Sequence, residues 1–530
     1  MTILVTDDVS ESTLKVLRDE PSFEVNYLPE KGKKLDPKPE IKDAEALIVR
    51  SATKVTSDLL DHATRLRVIG RAGVGVDNVD LEAATRKGIV VMNTPGGNAT
   101  SVAEQTLAFM LALARRIPEA DDSVKQGKWE KKKFLGMELR GKTLGLIGLG
   151  RIGLEVARLA QAFQMKTVGY DPFVPARLAQ EQNVQVLALG DLLRASDFVS
   201  LHCSLTPETQ HLLNAHTLGM AKPGVRVVNC ARGELINEKD LLAAIESGQV
   251  AGAGLDVFEV EPPKDSALVR HRQVIVTPHI AGSTEEAQEI VGIRIAEQVR
   301  DYLLQGMVRN AVNMPSVSPE EYQRLQPYIQ LGERLGSFLG QVASGGMEQI
   351  RVSYDGGLAE LNTHLVKNAV LVGILNQVLS AEEQANLINA ASLAHERRIE
   401  VTEQRSPRRA AFSNSLGIAL KTAAETVSVL GMVGLKNMPR LLGLNDIDIE
   451  APLHGTLLYI QNQDVPGVIG AVGTVLGNHS INIASFALGR NPQSRQAIGL
   501  INVDNPIPAP VLAEIKSVSA VREARVVKMG

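Results

Sequence analysis

Over its first three hundred residues this 530-residue chain alternates short apolar runs with longer amphipathic stretches. "TILVTD", "ALIVRS" and "RVIGRAG" read as buried strands ending in glycine, serine or charge, with segments of helical period between them. That rhythm predicts parallel sheets with helices on both faces. From Thr143 to Pro278 it tightens into six strand runs: "TLGLIG", "KTVGYD", "FVSLHC", "VRVVNC", "AGAGLDV" and "VIVTPH". Near Asn310 the pattern changes. "NMPSVSPEEYQRL" holds a helix start, with Ser318 as N-cap, Pro319 at the first helical position and Glu321 three residues after the cap. The region that follows, to about Asp448, mixes helices with a few strands. From His454 the order is strand, apolar helix, antiparallel strand pair, helix, strand, which is a ferredoxin-like β-α-β-β-α-β unit.

The length exceeds what one core fills, so three or four domains are expected. A net charge of −4 argues against wholesale binding of nucleic acid or an anionic membrane. Any anion must therefore meet locally placed arginines and lysines. Two cysteines, Cys203 and Cys230, fit a reducing compartment, and a cytoplasmic protein is expected. No apolar run reaches the ~18 residues of a membrane span. The longest, "TLAFMLALA" from Thr106 to Ala114, reads as a helix buried between domains. No metal site is expected.

"TLGLIGLGRIGLEVARLAQAF" places Gly148, Gly150 and Gly153 in the spacing G-x-G-x-x-G, between an apolar strand and an amphipathic helix. Gly148 makes the turn, Gly150 lets backbone approach a pyrophosphate, and Gly153 allows close helix–strand packing. The helix N-terminus offers free N–H groups and a positive dipole end to the phosphates. The next strand ends at Asp171, 18 residues beyond Gly153. Its carboxylate accepts from a ribose diol and repels a 2′-phosphate, which favours NAD over NADP. A turn in another α/β protein is the alternative.

Three more stretches end β-like runs in this second sheet: "VVNCARGELIN" with Arg232, "GLDVFEVEPP" with Glu261, and "IVTPHIAG" with His279. Residues beyond the carboxyl ends of such strands line the ligand crevice. Oxidising a secondary alcohol needs a base for the hydroxyl proton, a group to hold the base, and an anchor for the substrate. A histidine with an ordinary pKa of ~6.5 serves as base near neutrality. A carboxylate on its other nitrogen fixes the tautomer, and an arginine binds a carboxylate bidentately. Each residue alone has a structural alternative; the set beside a dinucleotide fold favours catalysis.

The run through "IVRSATKVT", "GRAGVGVDNVDLEAATRKGIVVMNTPGGN", "LIGLGRIGLEVA", "NCARGE", "LDVFEVEPP" and "TPHIAGST" resembles the D-isomer-specific 2-hydroxyacid dehydrogenases. Over the whole chain it is similar to their long members that oxidise 3-phosphoglycerate. The resemblance implies an α/β architecture of two Rossmann-like doubly wound parallel-sheet domains, an α+β intervening domain and a C-terminal ferredoxin-like (ACT) domain. It sets the substrate-binding domain at 1–94 and 281–312, the NAD-binding domain at 95–280, the intervening domain at 313–450 and the ACT domain at 451–530.

The same resemblance implies NAD-dependent oxidation of 3-phosphoglycerate to 3-phosphohydroxypyruvate, the entry step to serine. It makes His279 the acid–base residue, Glu261 its partner and Arg232 the carboxylate anchor. Cofactor contacts are expected from Gly148, Gly150, Arg151, Ile152, Gly153, Asp171, Cys230, Ala231 and Asp256. Substrate contacts are expected from Arg50, Ser51, Arg71, Ala72, Gly73, Asn98 and Lys131. The cluster Lys131 to Lys133 matches a segment reaching a neighbouring subunit's site, with a solvated helix face as the alternative. A homo-oligomer, dimer or tetramer, is implied. Two stretches depart from these relatives: "HIAGST" after the histidine, and "LHCSLTPET", with Cys203 and Ser204 where a proline-containing stretch is usual.

In the tail, Asn462, Asp464 and Asn482 are candidate effector contacts for serine, Asp464 taking its ammonium. They serve equally as turn formers. Two other readings of the chain stay open: a dehydrogenase of another 2-hydroxyacid such as hydroxypyruvate, glyoxylate or 2-hydroxyglutarate, and a non-enzymatic NAD-sensing corepressor.

Overall fold

The computed structural model describes residues 1–29, 36–314, 319–380, 383–406 and 414–529. The N-cap expected at Ser318 lies outside them; the helix it precedes is Pro319–Val342.

The first sheet holds β1 (Thr2–Val5), β2 (Glu24–Tyr27), β3 (Ala46–Val49), β4 (Val68–Arg71) and β5 (Val90–Met92), all parallel, in the order β2-β1-β3-β4-β5. β3 is buried along its whole length, as an inner parallel strand must be. The chain returns to this sheet through helix Glu285–Gln305. The Thr284 hydroxyl accepts from the Ala287 N–H, Glu285 and Glu286 fill the first turn, and Gly306 ends the helix at φ 68°. Val291, Ile295, Ala296 and Val299 pack in one core with Ile3, Val5 and Val68, each large side chain contributing roughly 1.5–3 kcal/mol by burial. Beyond the helix, the Val312 N–H donates to Val91 O at 2.8 Å.

The second sheet is also fully parallel: β6 (Thr143–Ile147), β7 (Lys166–Tyr170), β8 (Gln185–Val186), β9 (Phe198–Leu201), β10 (Val225–Asn229), β11 (Val250–Leu255) and β12 (Val274–Val276). Its order, β12-β11-β10-β9-β6-β7-β8, reverses direction between β6 and β9. A ligand crevice opens at the carboxyl ends on either side of such a reversal. All six strand runs expected here are present. The apolar run Thr106–Ala114 lies in helix Ala99–Arg115, which packs on β10, β11 and helix Arg151–Ala162. It covers one face of the second sheet and does not lie between domains. Its Phe109 and Met110 are buried in that sheet's core, where an apolar face of this length finds its largest partner.

The third sheet is mixed: β13 (Met347–Gly356), β14 (Glu400–Ser406), β15 (Asn414–Thr422), β16 (Thr426–Val433), β17 (Pro439–Leu444) and β18 (Ile447–Pro452), in the order β14-β13-β15-β16-β17-β18. Only β13–β14 is parallel. The fourth sheet is antiparallel, with β19 (Gly455–Gln463), β20 (Ile483–Asn491), β21 (Gln496–Val503) and β22 (Val521–Met529) in the order β20-β21-β19-β22. Helices Val468–Asn478 and Ala509–Lys516 complete the expected β-α-β-β-α-β unit. Among the described residues no helix is long and apolar enough to cross a membrane.

Candidate active site

The sheet reversal brings the glycine loop and the end of β9 together. Gly148 has φ 96°, and a Cβ there would lie 2.6 Å from Cys203 N and His202 C, so no side chain fits. At Gly153 a Cβ would lie 2.1 Å from Gly148 O. Gly150 differs: a Cβ there meets nothing within 4 Å. It is the N-cap of helix Arg151–Ala162 and no side chain caps that end. The open space above uncapped first-turn N–H groups, with the Ile152 amide among them, fits a pyrophosphate. Asp171, just past β7, accepts from the amides of Leu149 at 2.9 Å, Phe173 at 2.8 Å and Val174 at 3.1 Å. Those bonds fix a carboxylate beside the glycine loop, where a ribose diol would meet it. Arg151 opens the helix and donates from Nη1 to Pro95 O at 2.5 Å.

Burial governs the other polar groups here. His202 bonds Ser200 Oγ at 2.9 Å, and desolvation pushes its pKa down to about 3. Burial likewise raises the thiols, Cys203 to about 11 and Cys230 to about 12, so both stay protonated and weakly nucleophilic. Ala231 follows Cys230, its N–H donating to Asn229 Oδ1 at 3.0 Å.

The acid–base set forms beyond β10, β11 and β12. His279 Nδ1 donates to Glu261 Oε2 at 2.8 Å, leaving Nε2 for a substrate. That hydrogen bond raises the His279 pKa above its ordinary value; burial opposes it, the charges of Glu261 and Asp256 add to it, and Arg232 subtracts. Desolvation pulls Glu261 upward, but its bond to His279, the His279 charge, the Phe258 amide and Arg232 together bring it below its ordinary value.

His279 sits at φ 55°, in the left-handed region. Its N–H donates to Asp256 O at 2.8 Å. The Asp256 carboxylate accepts from Thr277 Oγ1, from Ile280 N at 2.8 Å and from Ala281 N at 2.8 Å, and the residue is fully buried. The Asp256 carboxylate thus holds the loop that carries His279.

Arg232 extends from the second sheet toward the first. Its Nη1 donates to Ala231 O at 2.6 Å and its Nη2 pairs with Asp77 Oδ2 at 2.8 Å, in the loop after β4. Arg71 ends β4 in the same cluster, its Nε buried with no partner among the described residues. Burial, and then the like charge of Arg232, lower its pKa. Ala72 is buried beside it, and the carbonyl of Gly73 accepts from Thr94 N at 3.0 Å. Arg50 follows β3 and donates from Nη1 to Asp8 O at 2.9 Å, with Ser51 exposed next to it.

Sequence reasoning missed what holds these cations. Asp7 accepts from the amides of Arg50 at 2.6 Å, Ala52 at 3.2 Å and Thr53 at 3.1 Å, and Asn78 Nδ2 bonds the carbonyls of Arg50 and Thr53. An aspartate directly after the first strand, in "TILVTD", is the signal that could have found Asp7.

Asn98 and Lys131 stand apart from each other. Asn98 precedes helix Ala99–Arg115 and packs against Gly282, with Oδ1 buried and unpartnered among the described residues. It therefore sits where the chain crosses between the two sheets. Lys131 lies in the short 3-10 turn Lys131–Phe134, its ammonium 5.6 Å from the Trp129 ring centroid. Arg116 ties this turn to the far end of helix Ala99–Arg115 by donating to Lys133 O at 2.6 Å. The helix places it about 25 Å from Asn98, so Lys131 does not join its own chain's arginine cluster.

The effector set does not assemble within one chain. Asp464 is paired with Arg490, Nη2 to Oδ2 at 2.7 Å. Asn462 is buried, and Asn482 bonds Asp504 Oδ2 at 2.6 Å. In the strand register Asn462 opposes Ala497, whereas Asn482 precedes Ile483, which opposes Val503 and so lies level with Thr456. Six residues of β19 separate the two levels, roughly 20 Å.

Residues 107–281 match the family described as D-isomer specific 2-hydroxyacid dehydrogenase, NAD binding domain; residues 324–445 match the D-3-phosphoglycerate dehydrogenase intervening domain, and residues 456–520 the ACT domain. The second sheet and its glycine loop are therefore an NAD-binding domain of the 2-hydroxyacid dehydrogenase class. A D-3-phosphoglycerate dehydrogenase of Methanocaldococcus jannaschii is 42% identical over 99% of both chains. One of Synechocystis is 41% identical over 99% of this chain and 94% of its own. A D-lactate dehydrogenase of Aquifex aeolicus, solved with NAD and lactic acid, superposes with a TM-score of 0.51 at 32% identity, over 60% of this chain and all of its own. The chain belongs to the D-3-phosphoglycerate dehydrogenase family.

Proposed function

We propose that this chain oxidises 3-phosphoglycerate to 3-phosphohydroxypyruvate with NAD, the entry step to serine. The observation that carries this reading is the 2.8 Å His279–Glu261 pair standing beyond the same sheet as Arg232, whose guanidinium meets the Arg71 loop of the first sheet. A phosphorylated hydroxyacid carries roughly three negative charges, more than one arginine can match. Arg232 binds the carboxylate next to the reacting carbon, while Arg50 and Arg71 face the phosphate. Neutral Nε2 of His279 takes the hydroxyl proton. Glu261 holds Nδ1–H and stabilises the imidazolium that forms. NAD, when bound, supplies the hydride acceptor. In the opposite direction His279 returns the proton.

The reading extends to the chain's layout. Residues 1–94 with 281–312 form the substrate-binding domain, 95–280 the NAD-binding domain, 313–450 the intervening domain and 451–530 the ACT domain. The protein works in the cytoplasm as a homo-oligomer, dimer or tetramer, in which Lys131 serves the neighbouring copy's site. The tail takes an amino-acid effector, with serine as the product-side candidate, between copies and not within one.

The test is the initial rate of NADH formation with 3-phosphoglycerate beside D-lactate, D-glycerate and 2-hydroxyglutarate at equal concentration, with phosphohydroxypyruvate reduction run in parallel. A strong preference for the phosphorylated pair is expected. Activity on unphosphorylated acids alone overturns the substrate assignment, and inactivity on all of them favours an NAD sensor.

A further inference from the structure

The contact between Arg232 and Asp77 joins the two sheets across the cleft, and its two partners are unequal. The Arg232 side chain is 27% exposed and that of Asp77 is 69% exposed. Both terminal nitrogens of Arg232 are engaged, Nη1 by Ala231 O and Nη2 by Asp77. A substrate carboxylate that approaches Nη2 from the cleft competes with Asp77 for that nitrogen. Gly75 clears the approach: a Cβ there would lie 1.9 Å from Arg232 Nη2. Asp77 also stands among cations, its charge acting on Arg71 as well as Arg232.

We propose that Asp77 is a displaceable positioning residue, an internal carboxylate that keeps Arg232 aimed into the cleft and yields the guanidinium to the substrate's carboxylate. The difference in exposure favours this exchange. Arg232, mostly covered, needs an anionic partner at all times, because a covered charge without one is costly. Asp77, mostly in water, is solvated once released and loses little. The contact also sets a threshold, since an acid that binds through Nη2 of Arg232 meets an intramolecular competitor. This inference rests on the proposed role of Arg232 as carboxylate anchor.

Calorimetric titration of the NADH-bound enzyme with oxalate, a small dicarboxylate, tests it without turnover. Asp77→Asn keeps the shape of an exposed side chain and removes the competing charge. It is expected to bind oxalate roughly two- to five-fold more tightly, the fold-change of losing a surface ion pair, and to lower KM for the hydroxyacid by a similar factor without raising kcat. Asp77→Glu, which restores the charge, is expected to return both constants toward wild type. Equal or weaker oxalate binding in Asp77→Asn overturns the proposal. Arg232→Lys separates the two readings: if oxalate binds it as well as wild type, the anchor role fails, and if oxalate binding is lost the anchor role stands and Asp77 is judged alone.

Discussion

A histidine is a base only while its free nitrogen is unprotonated, and Glu261 moves that threshold at His279. The Nδ1 bond raises the His279 pKa above 6.5, against burial and the charge of Arg232. Oxidation requires the neutral ring, so its rate is full above the raised pKa and is lost as pH falls through it. Reduction requires the imidazolium and runs the opposite way. Profiles of kcat/KM against pH in both directions check this, and Glu261→Gln should move the inflection down toward 6.5 while slowing oxidation. An inflection that stays in place would remove Glu261 from the role. His279→Ala should lower turnover by roughly 10²–10⁴ with NADH affinity unchanged by titration. His279, Glu261 and Arg232 were legible because each ends a β-rich run in a distinctive segment. Asp7, Asp77 and the anchoring role of Asp256 were not, because their donors are amides or guanidinium groups of distant loops, which leave no trace in periodicity. The Asp464–Arg490 pair was illegible for a related reason: a turn-forming segment does not reveal its partner on a neighbouring strand.

Elements were legible where apolar runs were long or strictly buried. Every strand of the second sheet except the two-residue β8 could be read, since β6, β9, β10 and β11 are nearly continuous buried runs. In the first sheet β2 is an edge strand with one buried residue in four and β5 has three residues, so neither carried a period-2 signal. The turn from β6 into helix Arg151–Ala162 gives a sharper prediction, because two glycines of one motif do different things. Gly150→Ala places its methyl in open space at φ −72°, so the fold should keep its stability while the methyl blocks the pyrophosphate. Gly153→Ala drives a methyl to 2.1 Å from Gly148 O, and the helix must shift, at about 1–3 kcal/mol. Thermal unfolding and NADH titration of both variants separate the effects. Gly150→Ala should lose cofactor affinity at an unchanged melting temperature, and Gly153→Ala should lose both. A destabilised Gly150→Ala would show that the space above this helix is needed by the chain and not by a ligand.

At the scale of the whole molecule the chain divides into two halves. The first and second sheets share the cleft. The third and fourth share a core, in which Leu335, Phe338, Ile350 and Leu416 lie with Leu457, Tyr459, Ile498, Leu500 and Val527. Between the halves, Asn386 Nδ2 reaches Gly88 O at 2.8 Å and Asn389 Nδ2 reaches Arg86 O at 3.4 Å. The sequence separated the third and fourth sheets by their patterns, but it could not show that one apolar layer serves both, since a strand buried against a neighbouring domain reads like one buried in its own. Tyr459 lies in that layer, edge-on to Phe338 with ring centroids 6.4 Å apart. Tyr459→Ala should therefore destabilise the C-terminal half as a unit, by roughly 3–5 kcal/mol, the range for removing a buried aromatic ring. These amides and Ile388, which packs against the core of the first sheet, lie outside the layer that holds Tyr459, so NADH affinity and the unfolding of the first two sheets should hardly change. Calorimetric unfolding with and without NADH distinguishes the halves, because the cofactor stabilises only the transition of the half that binds it. If Tyr459→Ala lowers the NADH-sensitive transition as far as the other, the halves unfold as one unit, and a signal from the tail to the cleft has a path through the single chain. If only the other transition moves, control of the cleft by the tail must pass through contacts between copies.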